Sequence, residues 1–209
     1  MMKGTFGNIR KSIRDKQRQK YNITFSKEEI EAIKNLSIVE FEYYEKQKGK
    51  GSQNTNTIIS CFNGCIGELA AVKHFTSKNI KNEWEGLTER FSMLTARVYA
   101  DCDIQAIYDG FRHSFEVKTI QAGQPQGQVT VRQGDKYKAS DVTGVVFVEI
   151  LLLDKDGYTI KPTDTNQVGE VRARVYDVVA IDTLLAQEVH SNMYDIHCYS
   201  MPYFINLSH

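Results

Sequence analysis

Four charged residues near the middle of the chain have the types and the spacing that a metal-dependent reaction would use. Asp101 and Asp103 stand near the beginning of the segment ADCDIQAIYDGFRHSFEVKTI, residues 100–120, and Glu116 and Lys118 stand near its end. Mg²⁺ takes oxygen ligands from one or two carboxylates and keeps several waters. A neighbouring lysine could hold a metal-bound water or help to deprotonate it. The segment is therefore either half of a metal site or an ordinary hairpin with charges on its exposed side.

The Asp-Gly dipeptide at 109–110 sets which of these residues face each other. Asp-Gly is a strong signal for a two-residue hairpin turn, because both central positions need a positive φ. That turn places Asp103 across from Glu116, and Asp101 across from Lys118. Opposed side chains have Cβ atoms about 4.5–5.5 Å apart, and two carboxylates held in this way repel unless they are protonated or share a cation. The register therefore favours Asp103 as the metal ligand and Asp101 as a partner of Lys118.

Alternation along the two predicted strands separates polar from apolar side chains. The polar face is expected to carry Asp101, Asp103, Gln105, Arg112, Ser114, Glu116 and Lys118. The apolar face is expected to carry Cys102, Ile104, Ala106, Tyr108, Phe111, Phe115 and Val117, with His113 as the exception. Half-buried antiparallel hairpins generally segregate in this way. An exposed surface on which Lys118 simply pairs with Asp101 or Glu116 thus explains the pattern equally well.

The N-terminal part of the chain that precedes this hairpin is typical of helices. Ser26, followed three residues later by Glu29, forms a capping-box pattern that begins a helix. Residues 49–57, GKGSQNTNT, have the composition of a flexible loop. We therefore expect a basic helical extension at residues 1–57 and a main domain at residues 58–209, which opens with a second helix.

The second half of the chain is mostly strand in character. Residues 144–153 form a near-continuous aliphatic run, as expected of a central strand buried on both faces. Residues 170–181 alternate, Asp182 is placed to cap a short helix, and a last strand is expected near residues 194–201. Helices followed by a mixed sheet indicate an α/β or α+β fold.

Composition places the chain among soluble globular proteins and excludes little else. The 209 residues are 41% hydrophobic and 25% charged, with neither a signal peptide nor a run long enough to span a bilayer, so a cytoplasmic protein without membrane association is expected. The four cysteines suggest reduced thiols rather than a disulfide framework. Net charge is zero, but residues 1–20 carry seven basic residues against one acidic residue. Such an arm suits phosphate contacts, and it equally suits a solvated helix.

The order of the acidic residues resembles the PD-(D/E)XK nuclease superfamily. Asp103 comes before a strand and a hairpin, and Glu116-Val117-Lys118 follows on the next strand. Upstream, Glu68 belongs to a Gly-Glu pair that begins an Ala-rich helical segment. Helix glutamate, strand aspartate and strand Glu-x-Lys, in this order, are moderately specific for the superfamily.

The resemblance covers about residues 60–153 and implies a restriction-endonuclease-like core, a mixed central sheet flanked by helices. Cys102 rather than proline precedes the aspartate, a departure shared by many members. The first 57 residues and the last 55 residues lie outside the matched part.

The same resemblance implies Mg²⁺-dependent hydrolysis of phosphodiester bonds, with Mn²⁺ able to substitute. Asp103, Glu116 and the carbonyl oxygen of Val117 would hold the ion. Glu68 would bind it through water or take a second metal ion, and Lys118 would orient the attacking water. The resemblance thus implies four catalytic residues: Glu68, Asp103, Glu116 and Lys118.

Further residues have side chains that suit contact with DNA. Glutamine can read base edges, and lysine and arginine neutralise phosphates. The candidates are Gln121, Gln124, Gln126, Arg132, Lys136 and Lys138 after the hairpin, and Arg10, Lys11 and Arg14 in the basic arm. A polar connecting loop at 121–138 explains the first group equally well.

Three functional classes are compatible with these features. The first is a small type II restriction endonuclease that cuts double-stranded DNA as a homodimer. The second is a repair or recombination nuclease of the junction-resolvase type, which usually has a more basic body than this chain. The third is a non-catalytic DNA-binding protein on the same fold, against which the presence of all four expected catalytic residues argues.

Overall fold

A computed structural model describes residues 18–47, 57–83, 102–108, 110–122, 128–191 and 197–200 of the chain. The strands are β1 (Ile23–Thr24), β2 (Lys81–Glu83), β3 (Ile104–Tyr108), β4 (Phe111–Gln121), β5 (Gln128–Thr130), β6 (Val142–Leu153), β7 (Glu170–Ala180), β8 (Val189–Ser191) and β9 (His197–Ser200). The helices are α1 (Lys27–Gln47), α2 (Ile58–Ser77), α3 (Val131–Lys138) and α4 (Ile181–Leu185), with a 3₁₀ turn at Thr165–Gln167.

Six of these strands form one mixed sheet in the order β1-β7-β6-β4-β3-β2. Strands β4 and β6 run parallel, and the other neighbours are antiparallel. A parallel pair needs a crossover connection, and here the crossover contains β5 and α3. Strands β5, β9 and β8 form a second, small antiparallel sheet. The prediction of a mixed sheet in an α/β (α+β) protein is confirmed, and the restriction-endonuclease-like core stays a prediction.

Strand β6 is buried on both faces, as its aliphatic run predicts. Val146 and Val148 point to a cluster that also contains residues of α1 and α2. Val145 and Phe147 point to the opposite cluster, which contains residues of α3 and α4. We call these the first and the second face of the sheet. Complete burial of such side chains contributes about 1.5–3 kcal/mol each, so β6 is the centre of the folded domain.

The described part of the N-terminal segment is built into the same core. Strand β1 pairs with β7. The predicted capping box is confirmed, since the Ser26 backbone N–H donates to Glu29 Oε2 at 2.7 Å and the Glu29 N–H donates to Ser26 Oγ at 3.1 Å. The buried stripe of α1 includes Ile30, Ile33 and Leu36, which pack in the first-face cluster. Residues 18–47 thus share the core of the main domain.

Helix α2 lies very close to the central sheet at one glycine. A Cβ atom at Gly67 would lie 1.8 Å from the Oγ1 atom of Thr119 on β4. The N-terminus of the helix is held by a capping box between Thr57 and Ser60. Gly67 therefore allows a close approach that any larger residue would prevent, and it fixes the position of the neighbouring Glu68.

Two local expectations differ from the structure. Residues 121–138 were expected to form a polar loop, but 128–130 form β5 and 131–138 form α3. Asp182 does not cap α4, because Ala180 occupies the N-cap position and no side chain bonds to the helix end. The helix at 131–138 packs Tyr137 into the cluster of the second face, which overrides the local polarity of its sequence. Among the described residues, no helix has the length and apolar character needed to cross a bilayer.

Candidate functional site

The hairpin of β3 and β4 has the register that its turn predicts. Its pairs run from Tyr108 opposite Phe111 to Ile104 opposite Phe115. Gly110 has a φ of 80°, as a primed turn requires. Phe111 does not join the apolar face as expected, since it is 71% exposed at the tip of the hairpin, beyond the core. The register itself is confirmed over all five pairs.

Asp103 lies at a bend just beyond the end of this ladder. Its backbone N–H donates to the Phe115 carbonyl at 3.1 Å, and its Oδ2 accepts from the Val117 N–H at 2.8 Å. The Asp103 carboxylate thus accepts the hydrogen bond that a backbone carbonyl would accept if the ladder continued. The bend also turns Cys102 into the second-face cluster, whereas Ile104 remains on the first face. The expectation that both lie on one face is therefore wrong at Cys102.

Glu116 projects from the second face of the sheet into a mostly buried position. Its ladder neighbour is Val145, and its side chain is 16% exposed. Burial, and then the charge of Asp103, raise the pKa of the Glu116 carboxyl above its usual value. Lys118 and a hydrogen bond from Tyr137 act in the opposite direction. Asp103 and Glu116 are therefore close enough to repel each other, as the register predicts.

Lys118 shares its surroundings with Glu116 and one aromatic ring. Its Nζ lies 3.9 Å from Glu116 Oε2 and 5.5 Å from the centre of the Tyr137 ring. The Tyr137 hydroxyl donates to the same Oε2 at 3.2 Å. Burial, followed by the charge of Glu116, raises the pKa of Tyr137, so the hydroxyl remains a donor. Asp101, the other predicted partner of Lys118, lies outside the described residues.

Tyr137 is the residue of this group that sequence reasoning missed. It stands on α3 in a segment that was expected to be a polar loop. Its only signal was an aromatic residue between Lys136 and Lys138 in an otherwise polar stretch. Because its partners are 19 and 21 positions away along the chain, local pattern could not connect them.

The backbone of Val117 faces the same edge as the Asp103 carboxylate. Within an extended strand, the N–H and the C=O of one residue point to the same side. Since the Val117 N–H reaches Asp103, its carbonyl oxygen is directed toward that side as well. This direction fits the predicted role of the Val117 carbonyl as a metal ligand.

The donor set fits Mg²⁺ as a site built on two carboxylates. Asp103 Oδ2 accepts from the Val117 N–H, and Glu116 Oε2 accepts from the Tyr137 hydroxyl. Hydrogen bonds of this kind orient the carboxylate ligands of metal sites. Within the described ranges, three or more Asp, Glu, His or Cys side chains nowhere come together closely enough to hold a metal. Water and substrate oxygens would have to complete the coordination, which is the usual arrangement for Mg²⁺.

Glu68 stands on a different element of the fold from Asp103, Glu116 and Lys118. It is buried, with 4% exposure, on α2, which packs on the first face. The strongest electrostatic influences on Glu116 come from Asp103, Lys118, Tyr137 and Lys136. The structure thus brings together three of the four predicted catalytic residues, and a metal-binding role for Glu68 stays a prediction.

The predicted DNA-contacting residues are only partly described. Lys136 and Lys138 are exposed at the last turn of α3, and Gln121 is half-buried at the end of β4. The backbone of Arg132 belongs to α3, and its side chain lies outside the described part. Five further candidates also lie outside the described residues: Gln124, Gln126, Arg10, Lys11 and Arg14.

A second polar cluster, on the second face of the sheet like Glu116, was not predicted. Glu149 Oε2 accepts from Arg174 Nε at 2.7 Å and from the Tyr176 hydroxyl at 2.8 Å. The Arg174 guanidinium also lies over the rings of Tyr176 and Tyr21. The buried carboxylate is thus paired directly with an arginine, unlike Glu116. We interpret this cluster as a structural ion pair that holds β6 to β7.

An open groove of about 950 Å³ lies away from the candidate site, near the turn that follows β6. Two of its basic residues are engaged with acidic ones, since Arg18 lies 3.6 Å from Glu170 and Lys34 lies 2.7 Å from Glu31. The groove begins seven residues beyond Phe147, the ladder neighbour of Lys118, or roughly 23 Å along the strand. The groove therefore lies far from Glu116 and Lys118, and its large volume does not make it part of the candidate site.

At this position the structure brings together two carboxylates, an ammonium group and a hydroxyl donor, from Asp103, Glu116, Lys118 and Tyr137. Comparison with known proteins adds no relative from which a function could be transferred, since neither a protein-family model, nor a curated protein, nor a solved structure matches this chain.

Proposed function

We propose that this protein is a Mg²⁺-dependent DNA endonuclease that hydrolyses phosphodiester bonds, with Mn²⁺ able to replace Mg²⁺. The observation that carries the proposal is the convergence of Asp103, Glu116 and Lys118 at the end of the β3–β4 ladder. A mixed sheet with helices against both faces is the setting that the resemblance to PD-(D/E)XK nucleases implies.

Electrostatics supports a cation at this position. Two neighbouring carboxylates, one of them mostly buried, carry an unfavourable interaction that a shared cation would remove. Lys118 does not cancel it with a close ion pair, because its Nζ is 3.9 Å from Glu116 Oε2. At the structural pair elsewhere on this face, Arg174 approaches Glu149 to 2.7 Å. The loose pairing at Glu116 therefore favours a binding site over a purely structural ion pair.

Each residue of the group then has a defined task. Bound Mg²⁺ would supply charge stabilisation for the phosphate as the bond is cleaved. Asp103 and Glu116 would hold the ion with the carbonyl oxygen of Val117, and Glu68 would add a water-mediated contact. The Nζ of Lys118 would orient the attacking water and stabilise its negative charge as it loses a proton.

Double-stranded DNA is the substrate that we propose, and the enzyme would act as a homodimer so that both strands are cut. Lys136 and Lys138 are exposed on the helix that carries Tyr137, beside the site. Such residues would contact phosphates without reading sequence. A restriction-type endonuclease is therefore our leading assignment, with a junction-resolvase-type nuclease as the alternative on the same chemistry.

Incubation of supercoiled plasmid with the protein in Mg²⁺, Mn²⁺ or EDTA tests this proposal. We expect cleavage with either metal and none in EDTA, and a loss of about 100-fold or more for Glu116→Gln. Glu170→Gln is the matched control, because Glu170 also pairs with a cationic neighbour, Arg172 at 2.6 Å, but stands apart from the site. The proposal is wrong if Glu116→Gln retains full metal-dependent cleavage. Discrete fragments would favour restriction, and cutting confined to branched DNA would favour the resolvase type.

A further inference from the structure

Tyr137 joins the core of the second face to the candidate site. It is 3% exposed and packs in a cluster that includes Val145 and Phe147, the ladder neighbours of Glu116 and Lys118. The backbone of α3 is thereby held against β6, and the polar end of the tyrosine side chain reaches β4. A buried tyrosine hydroxyl generally needs a polar partner, and Glu116 supplies it.

A single side chain thus contacts both charged residues of the Glu-x-Lys motif. The hydroxyl donates to Glu116 Oε2 at 3.2 Å, and the ring lies 5.5 Å from Lys118 Nζ. An ammonium group within about 6 Å of an aromatic ring centre is attracted to the face of that ring. The tyrosine therefore offers a separate partner to each of two groups that would otherwise pair with each other.

The distance between those two groups reflects this arrangement. A close ammonium–carboxylate hydrogen bond measures about 2.7–2.9 Å, whereas Lys118 Nζ stays 3.9 Å from Glu116 Oε2. Both contacts of Glu116, from Tyr137 and from Lys118, fall on Oε2. With Oε2 engaged by both neighbours, Oε1 would be the oxygen that binds a metal shared with Asp103.

We infer that Tyr137 is the positioning residue of this site: its hydroxyl orients the Glu116 carboxylate for the metal, and its ring keeps the Lys118 ammonium from closing onto that carboxylate. This inference rests on the proposed function. The hydroxyl and the ring have separable roles, because one acts on a metal ligand and the other on the group that orients water. The alternative is that Tyr137 only fills the core, in which case its hydroxyl is dispensable.

Three variants separate these roles. Tyr137→Phe removes the hydroxyl and keeps the ring, and Tyr137→Leu removes both. Tyr176→Phe is the matched control, since the Tyr176 hydroxyl also donates to a glutamate on the same face, Glu149 at 2.8 Å, but not at the site. The first measurement is the affinity for Mn²⁺, which is determined from the electron paramagnetic resonance signal of free Mn²⁺. The second is the single-turnover rate of plasmid cleavage at saturating Mn²⁺.

We expect Tyr137→Phe to bind Mn²⁺ about tenfold more weakly than the wild type, as is typical when an outer hydrogen bond to a metal ligand is lost. At saturating Mn²⁺ its cleavage rate should fall less than that of Tyr137→Leu, because Lys118 keeps its aromatic partner. Tyr137→Leu should lose Mn²⁺ affinity to the same extent and should also cleave more slowly at saturation. Tyr176→Phe should match the wild type in both measurements.

The outcomes distinguish the inference from the proposed function. A wild-type protein that neither binds Mn²⁺ nor cleaves DNA would overturn both. A wild-type protein that does both, with Mn²⁺ affinity unchanged in Tyr137→Phe, would overturn the positioning role and leave the nuclease proposal in place. If Tyr137→Leu does not fold, as judged by circular dichroism, Tyr137→Phe decides the question alone.

Discussion

The close approach of α2 to β4 predicts that one substitution, made at two glycines of the same helix, has opposite effects on stability. At Gly67, a new Cβ atom would lie 1.8 Å from Thr119 Oγ1 and 3.0 Å from Thr119 Cβ. At Gly64, no atom beyond the adjoining residues and the nearby helix backbone lies within 4 Å of the corresponding position. Alanine is the better helix former at both sites, so only the tertiary contact distinguishes them.

The magnitudes follow from these distances. Replacement of a helical glycine by alanine contributes about 0.5–1 kcal/mol, and this is the expected gain for Gly64→Ala. Gly67→Ala receives the same gain, but overpacking of a well-packed core costs about 1–3 kcal/mol and occasionally more. The overlap at 1.8 Å is severe, and the β-branched Thr119 has few side-chain rotamers to escape it. We therefore place the overpacking cost near its upper end of about 3 kcal/mol, so Gly67→Ala should lose about 2–2.5 kcal/mol net and the two variants should differ by about 3 kcal/mol.

Urea unfolding, analysed with a common slope, measures this difference directly. In thermal unfolding, each kcal/mol should correspond to about 2–4 °C for a protein of this size. A second change, Thr119→Ala, should recover part of the loss in Gly67→Ala, because it removes the nearest overlapping atom. The packing argument would be refuted by equal stabilities of Gly64→Ala and Gly67→Ala, or by a Gly67→Ala defect that Thr119→Ala leaves untouched.

Two further predictions concern the carboxylates. Burial and the nearby Asp103 raise the pKa of Glu116 above its usual 4.5, so the stability contributed by its protonated form is present below pH 4.5 and is lost as the pH rises through the folded-state pKa. Urea unfolding in EDTA should therefore show that the midpoint of Glu116→Gln rises relative to that of the wild type as the pH increases from 4.5 to 8. A difference between the two midpoints that does not change with pH would contradict the pKa shift. At Asp103, asparagine keeps an acceptor for the Val117 N–H and alanine does not; both should lose about 100-fold or more of the cleavage activity, but only Asp103→Ala should lose about 1–3 kcal/mol of unfolding free energy. Equal unfolding free energies for the two variants would show that this hydrogen bond contributes no net stability.

The hairpin shows how far local sequence information reaches. A two-residue turn fixes the pairing of the residues beside it, and strict alternation then carries that pairing along both strands. For this reason the sequence predicts the pairing from Tyr108 opposite Phe111 to Ile104 opposite Phe115. The same register predicts that Asp103 and Glu116 lie close together. The prediction was inaccurate where alternation ends, since the bend at Asp103 sends Cys102 to the second face.

Helix α3 shows where local information ends. Its sequence, VRQGDKYK, is polar and contains a glycine, so propensity and periodicity both indicated a loop. The helix forms because Tyr137 packs on Val145 and Phe147, a contact that no local pattern encodes. Glu68 gives the complementary case, because its place in the motif was visible in the sequence, while its burial depends on how α2 packs on the sheet.

The sequence by itself determined the capping box at Ser26 and Glu29, the buried central strand and the hairpin register, since each follows from interactions between residues close along the chain or paired across one turn. Only the tertiary structure decided that Tyr137 reaches Glu116 and Lys118, and that one oxygen of Glu116 accepts from the Tyr137 hydroxyl while one oxygen of Asp103 accepts from the Val117 N–H. The physical reason is that side-chain partners across a sheet are set by the packing of whole helices on its two faces, which depends on residues far apart in the chain.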